Sequence, residues 1–554
     1  MPSEPKWGNP RLWLALLWLA FLVRGAWYCA VAPPWEGYDE PYHFAALQNV
    51  AAGQGMPHAD TRISLEVQHS LHLLPLAWMH HFHGIPGPLT PYDDFWKLAP
   101  EERNARLAAV KSLDPGEGSQ PADQPIGNYE SQQPPLYYWV MSVPMRWISG
   151  LSLLSRIYWM RILSVLLAST ALPLSYWIAK RVLGSQLQAL GVVAVTVLLP
   201  EFLIDVARVC NESIAIMCFG VALVVSLRVA EKPSRWGGWL LLGAVLGAGL
   251  LSKAYMLGTL PGVFVVGHFA FRQKSSDGRP RLGIAAVIAR MAATFAIAGV
   301  IAGWWYWRVH AATGSLTGVN DEVMASHLTL LQKLSHVPQV NWKRGIASIV
   351  HSHLWFGGWS FLRMPKWVSA IAVAVAGVAI VGAVARLRRR TTTVIERQDV
   401  LILVGFYAVV WAGLLYHILI NFLSHGVAAS AGWYLYVTVT AEMVLLVWGL
   451  QAFLPNRMVF PGLAVALAVL DLFPMHAYLM PYYSGLSVHV GDWVYANPRA
   501  TFQQLPVVFT RLGELQAAWL GAPTLWVLWI AYWIATVGTV AVMFVVFRRA
   551  AVNE

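Results

Sequence analysis

The sequence predicts an all-α polytopic membrane protein of about twelve transmembrane helices, with further helices lying along the outer membrane surface. Three observations predict it. Of the 554 residues, 57% are hydrophobic and 12% charged, which gives a mean hydropathy of +0.52. Apolar runs long enough to cross a bilayer recur from end to end, and Lys and Arg collect at the ends of those runs. A soluble chain of this length would carry about a quarter charged residues and divide into several domains. The net charge of +11 does not point to nucleic acid, because the basic residues flank spans instead of forming a basic face, as topology determinants do. Cys29, Cys210 and Cys218 have neither metal-ligand spacing nor a disulfide framework, although Cys29 and Cys210 could meet outside the membrane.

The candidate spans are residues 11–31, 157–179, 187–204, 210–228, 236–253, 256–271, 287–308, 367–385, 399–420, 431–452, 458–479 and 523–547. The first is too long for a signal-peptide core and stays as an uncleaved helix. The hairpin from 236 to 271 is the weakest, two marginal spans sharing a turn near Lys253. Basic groups fall at Lys6 and Arg11, Lys180 and Arg181, Arg228 to Arg235, Arg272 to Arg281, Arg386 to Arg390, Arg457, and Arg548 with Arg549, on every second connection. The positive-inside bias then divides the chain into a first helix (1–31), an outer loop with juxtamembrane helices (32–156), helices two to seven (157–308), a second outer loop (309–366), helices eight to eleven (367–479), a third outer loop (480–522), and the last helix with a cytoplasmic tail (523–554). The apolar stretch Pro134 to Met145 could be taken for another span. Crossing there would turn every later basic loop outward, so it reads as an aromatic helix on the outer surface.

The first outer loop exceeds a hundred residues and is rich in Pro and aromatics, and long ordered loops are usually functional. Residues 84–124 suggest a turn, a short amphipathic helix and a flexible arm. Directly after the first span comes Glu36-Gly37-Tyr38-Asp39-Glu40-Pro41-Tyr42-His43-Phe44. Pro41 suits the first turn of a helix, which makes Asp39 or Glu40 its cap and puts the acids at its positive end. A carboxylate near apolar walls is a competent general base for a hydroxyl. Two other readings stand beside that one: solvated helix-start residues, or ligands of a hard divalent cation such as magnesium or manganese. No phosphate loop, CxxC pair or GxSxG elbow occurs, so nucleotide-binding and serine-hydrolase chemistry have no support.

These residues resemble the GT-C superfamily of glycosyltransferases that use polyprenyl-phosphate sugars, in layout close to protein O-mannosyltransferases and to the aminoarabinose transferases of lipid A. The wording Asp39 to Phe44 is closest to a group of uncharacterised bacterial membrane proteins of the same superfamily. Asp39-Glu40 matches the family's Asp-Glu pair, which implies Asp39 as catalytic base, with Glu40 and His43 orienting it or the acceptor. Gln133-Pro134-Pro135-Leu136, followed by Tyr137, resembles the family's His-Pro-Pro-Leu or Lys-Pro-Pro-Leu on a juxtamembrane helix. Arg161-Ile162-Leu163-Ser164 resembles the start of the next span, and Arg24 falls where relatives carry an Arg late in the first. GLLSKAYM at 249–256 and LWFGGWSFL at 354–362 are also similar. Two departures stand out: Gln133 replaces a basic or imidazole side chain, and Gly432-Trp433-Tyr434 replaces Gly-Arg-Tyr.

The resemblance implies an inverting transfer of sugar from a polyprenyl-phosphate donor to a hydroxyl of a glycan, lipid or protein, outside the cytoplasmic face of a bacterial inner membrane. Glu36 and Tyr38 would contact substrate, or Glu36 a metal. The donor phosphate asks for outer cations, for which Arg24, Arg161, Arg208, Lys253, Arg308 and Arg363 are the candidates, with snorkelling to headgroups as the plain alternative. Asn320-Asp321-Glu322 with His327 and His336 forms a second polar group. A transporter or flippase of lipid-linked saccharides also needs many spans, but predicts broken helices and matching halves. A glycan polymerase or ligase would lean on Arg and His of a later loop.

Overall fold

The computed structural model describes residues 9–77, 84–273, 281–389, 392–491 and 493–552. Lys6, Lys274, Arg279 and Arg390 of the expected basic connections lie outside the described residues. Among the described residues ten helices are long and apolar enough to cross a membrane: Pro10–Val31, Leu153–Leu183, Glu212–Glu231, Ala254–Arg272, Ile284–Thr313, Lys366–Arg388, Val394–His425, Gly432–Leu450, Asn456–Tyr483 and Ala522–Arg548. The bent pair Gln186–Val197 and Pro200–Val206, broken by 63°, and the 15-residue Trp236–Leu250 take the two remaining places. Every expected span therefore has a helical counterpart in the same order. The bend comes from Pro200, which lacks an N–H and holds Leu199 in extended backbone. The hairpin turn falls where expected, with Lys253 extended (φ −156°, ψ 141°) ahead of a 3₁₀ turn.

The Leu136–Trp147 helix is not among the helices long and apolar enough to cross. Twelve residues rise about 18 Å, short of the ~30 Å hydrocarbon core. It buries Tyr137, Tyr138, Met141 and Met145 and exposes Trp139, Val140, Val143 and Trp147. In the first inter-span segment, the Leu65–Leu73 helix packs against the Pro100–Lys111 helix, and Gln48 of the Glu40–Ala51 helix donates to Glu66 of Leu65–Leu73 (2.6 Å). The arm expected to be flexible is instead pinned: Ala122 N–H donates to Ile63 O (2.9 Å), Leu65 N–H to Gln120 O (2.8 Å) and Asn128 N–H to Thr61 O (2.8 Å).

Three inter-span segments meet at one end of the helix bundle. Glu36 of the first accepts from Ser360 N–H and Oγ–H of the second, both at 2.9 Å. His489 of the third reaches Asp93 of the first (Nδ1 to Oδ2 2.9 Å) and Ser360 O (Nε2, 3.2 Å). Elsewhere in the bundle, Arg181 joins Glu231 and Asp399 (2.6 Å each), bringing three of the basic connections together. All three cysteines are buried and free.

Candidate active site

The acidic motif is a tight turn between the first span and the Glu40–Ala51 helix. Trp35 (φ 68°) and Asp39 (φ 55°) both lie in the left-handed region, a conformation that costs a non-glycine residue on the order of 1 kcal/mol or more and collects at functional sites. Gly37 sits so close to Arg208 that a Cβ there would fall 2.6 Å from the Arg208 Cβ.

Glu40 is fully buried and fully engaged. Its Oε1 accepts from Arg161 Nε (2.7 Å) and Val209 N–H (3.0 Å), its Oε2 from Arg161 Nη2 (2.5 Å) and Trp35 N–H (3.2 Å). The Arg161 guanidinium donates further to Cys29 O (3.1 Å), Ala32 O (2.6 Å) and Pro33 O (2.8 Å). No N–H of Arg161 remains for a phosphate, which corrects its expected role as a substrate contact. The pair instead staples the chain leaving the first span to the next span.

Asp39 contrasts with its neighbour. It occupies the N-cap position without making a capping hydrogen bond, so the capping reading fails there, and its carboxylate has no hydrogen bond or ion pair among the described residues. Burial raises its pKa to about 6, opposed by the charges of Arg208 and Lys253 and reinforced by Glu212. Near neutrality Asp39 is ionised, the state a base needs.

The other expected residues separate into those that face this carboxylate's surroundings and those that do not. His43 meets the Tyr138 hydroxyl through Nδ1 (2.7 Å), and burial pushes its pKa well below the usual range, so it is a neutral imidazole. Glu36 is tied to Ser360, and burial raises its pKa to about 8 against those hydrogen bonds. Tyr38 is buried, donates to Glu201 (2.7 Å) and stacks on Trp433 at 4.0 Å between centroids, 10° from parallel. It is a packing element, with Trp433 as its stacking partner. Tyr137 is likewise buried against Ser164 (3.0 Å). Arg24 pairs with Asp471 (2.6 Å) and Thr536 (3.1 Å) deep among the first span, Asn456–Tyr483 and Ala522–Arg548, and Arg308 reaches His58 (2.9 Å) and covers Trp305. Neither is brought to Asp39.

Gln133 and Lys253 do come together. Gln133 Oε1 accepts from Asn211 Nδ2 (2.9 Å), and the Lys253 ammonium donates to Asn211 Oδ1 (2.8 Å) and to Glu212. Both line a cavity of about 580 Å³ that also involves Tyr255, Tyr434, Glu322 and Lys333, with Leu257, Val410, Leu414 and Ile420 as apolar wall.

Two participants went unseen in the sequence. Glu130 is buried, its Oε2 has no hydrogen-bond partner among the described residues, and burial together with the Asp39 charge raises its pKa to about 8. Nothing in its spacing marks it, beyond standing three residues ahead of Gln133. Lys333 follows from neither motif nor span end. Among the described residues no three His, Cys, Asp or Glu side chains are disposed to hold a metal ion together.

No curated protein matches the chain. Among solved structures it is similar to ArnT from Cupriavidus metallidurans bound to undecaprenyl phosphate, at 13% identity and TM-score 0.45, over 97% of this chain and 77% of that one. It is also similar to the oligosaccharyltransferase of Archaeoglobus fulgidus, at 11% identity and TM-score 0.42, over 93% of this chain but 56% of that protein's length. Likenesses this distant carry no reading of what the chain does, which has to come from its own site. A family match extends over most of the chain, residues 21–427, and the protein belongs to the DUF2142 family of predicted membrane proteins.

Proposed function

We propose that the protein is an inverting glycosyltransferase that moves a sugar from a polyprenyl-phosphate donor to an acceptor hydroxyl on the non-cytoplasmic side of the membrane. The observation that carries this reading is the unpaired Asp39, whose carboxylate feels the charge of Lys253, itself on the wall of a cavity that also holds Lys333 and an apolar face. In the reaction Asp39 takes the proton of the acceptor hydroxyl, whose oxygen attacks C1 of the sugar. The C1–O bond to the lipid phosphate breaks, and the polyprenyl phosphate leaves with the electron pair. A single displacement inverts C1.

Lys253 and Lys333 are the cations on the cavity wall and take the place left open by Gln133 and Trp433. They hold the phosphate and stabilise it as it leaves, while Val410, Leu414 and Ile420 receive the isoprenoid. Glu40 positions Asp39 through its Arg161 staple, and His43 acts as a neutral polar neighbour. Sidedness is supported by the bias of Lys and Arg: the Arg181 cluster belongs in the cytoplasm and the three interlocked segments outside, in a bacterial inner membrane facing the periplasm or exterior.

A reconstituted assay with synthetic polyprenyl-phosphate sugars tests the reading. Transfer by the wild type and its loss, by about two to four orders of magnitude, in Asp39→Asn are expected. Full transfer by Asp39→Asn removes the base. Substrate-dependent flux without transfer from any donor identifies a transporter of lipid-linked saccharides instead.

A further inference from the structure

A second cavity, of about 410 Å³, opens in the first segment along the C-terminal half of the motif helix. Its walls differ in kind from those of the cavity lined by Gln133 and Lys253. Ala45, Ile63 and Pro121 are its apolar members, and amides, hydroxyls and backbone make up nearly all the rest. Most small-molecule pockets in this size range are predominantly apolar. Here three of the twelve lining residues are apolar and the other nine are polar, charged or glycine.

The polar groups are held ready. Asn49 Nδ2 donates to Gly55 O (2.9 Å) and Gln54 Nε2 to Ser119 O (2.8 Å). Each amide is thereby fixed in orientation, and its carbonyl oxygen has no protein partner among the described residues. Thr61 Oγ accepts from His58 N–H (2.8 Å), which leaves its own proton to give. Gly118 lies over the buried Gln48 and Glu66 side chains, where a Cβ would come within 2.5 Å of the Gln48 amide nitrogen, so the wall there is bare backbone.

Charge narrows the ligand further. Asp60 and Arg62 are the two charged residues of the lining, and the Arg62 guanidinium donates to Ala122 O (3.2 Å) and Asp123 O (3.4 Å). Without a second cation the groove does not suit phosphate or sulfate. With one carboxylate and no His or Cys on its wall it does not suit a metal. Fixed acceptors interleaved with hydroxyl donors suit a molecule that presents many hydroxyls in alternation.

We propose that this groove is a binding site for a neutral saccharide. Asn49 Oδ1 and Gln54 Oε1 accept from sugar hydroxyls, and Thr61 donates to one. Asn49 stands ten positions from Asp39 along the chain, about 15 Å along the helix, a distance that a short chain of sugars covers. That the saccharide is the acceptor rests on the transferase reading. That the groove binds saccharide does not.

The test uses the full-length protein in lipid nanodiscs on an array of short neutral oligosaccharides of hexoses and N-acetylhexosamines, with sulfated and sialylated counterparts. Wild type and Asp39→Asn are expected to retain the same neutral oligosaccharides. Asn49→Trp, which fills the groove, should bind at least about tenfold more weakly, and Gln54→Leu several-fold. Gln54 is exposed, so that variant carries the comparison if Asn49→Trp proves to unfold at a lower temperature. Retention of no oligosaccharide above empty nanodiscs, preference for the anionic sugars, or undiminished binding by the folded groove variants overturns the proposal. Loss or persistence of transfer in Asp39→Asn bears only on the base and leaves the groove untouched.

Discussion

Glu40 and Arg161 form a fully buried, two-point ion pair, with contacts of 2.7 and 2.5 Å, one residue away from an aspartate that pairs with nothing described. The division of labour between Asp39 and Glu40 follows from it. A carboxylate with both oxygens saturated holds the backbone, and the free one is available for a proton. Removing one member of a buried pair strands the other charge, at about 3–5 kcal/mol. Arg161→Leu and Glu40→Gln should each lower the melting temperature in detergent markedly. The double variant Glu40→Gln with Arg161→Leu should recover part of that loss. Full additivity of the two single effects would show that the pair is not coupled.

With Asp39 as the proposed base, its carboxyl sets the pH dependence expected of transfer. Its carboxyl is held at about 6, and only the ionised form takes a proton, so kcat/KM rises with pH through about 6 and falls tenfold per pH unit well below it. A pH profile of the reconstituted reaction measures this. A profile flat between pH 5 and 7, with chemistry limiting, would place the base elsewhere.

Much of the fold was legible because the bilayer imposes a length on every crossing. Twelve apolar runs mark the helices, and the parity of the basic connections kept the Leu136–Trp147 helix out of the count. The site was legible only where it is local. Asp39, Glu40 and His43 stand together in the chain, but Ser360, the partner of Glu36, lies 324 positions away, and no local pattern announces such a contact. The same blindness explains Arg24 and Arg161. An Arg near a span end looks like a phosphate ligand until its partner, Asp471 or Glu40, is found across the bundle.

Lys333 gives the cleanest test of the phosphate site, since it is half-exposed and lines the cavity. A charge-assisted hydrogen bond contributes about 1.5–3 kcal/mol. Lys333→Met should therefore raise KM for the lipid donor by about tenfold or more, with little change in melting temperature, and Lys333→Arg should restore most of it. Lys253→Met should weaken donor binding and also destabilise the fold, because Glu212 loses the ammonium it contacts. An unchanged donor KM in Lys333→Met would exclude that residue from phosphate binding.

Glu36 makes stability itself depend on pH. Its carboxyl is raised from an ordinary value of 4.5 to about 8 in the folded protein, chiefly by burial. Between those values the folded state holds a proton that the unfolded state has released. The Glu36 contribution is therefore full below about pH 4.5 and is lost as pH rises through about 8. Glu36→Gln cannot titrate, and its amide oxygen can still accept from Ser360. Melting temperatures measured at pH 5 and pH 8.5 should fall by several degrees in the wild type and by visibly less in the variant. Equal losses in both would mean that another group drives the alkaline decline, and that the junction of the first and second segments at Ser360 does not depend on the proton.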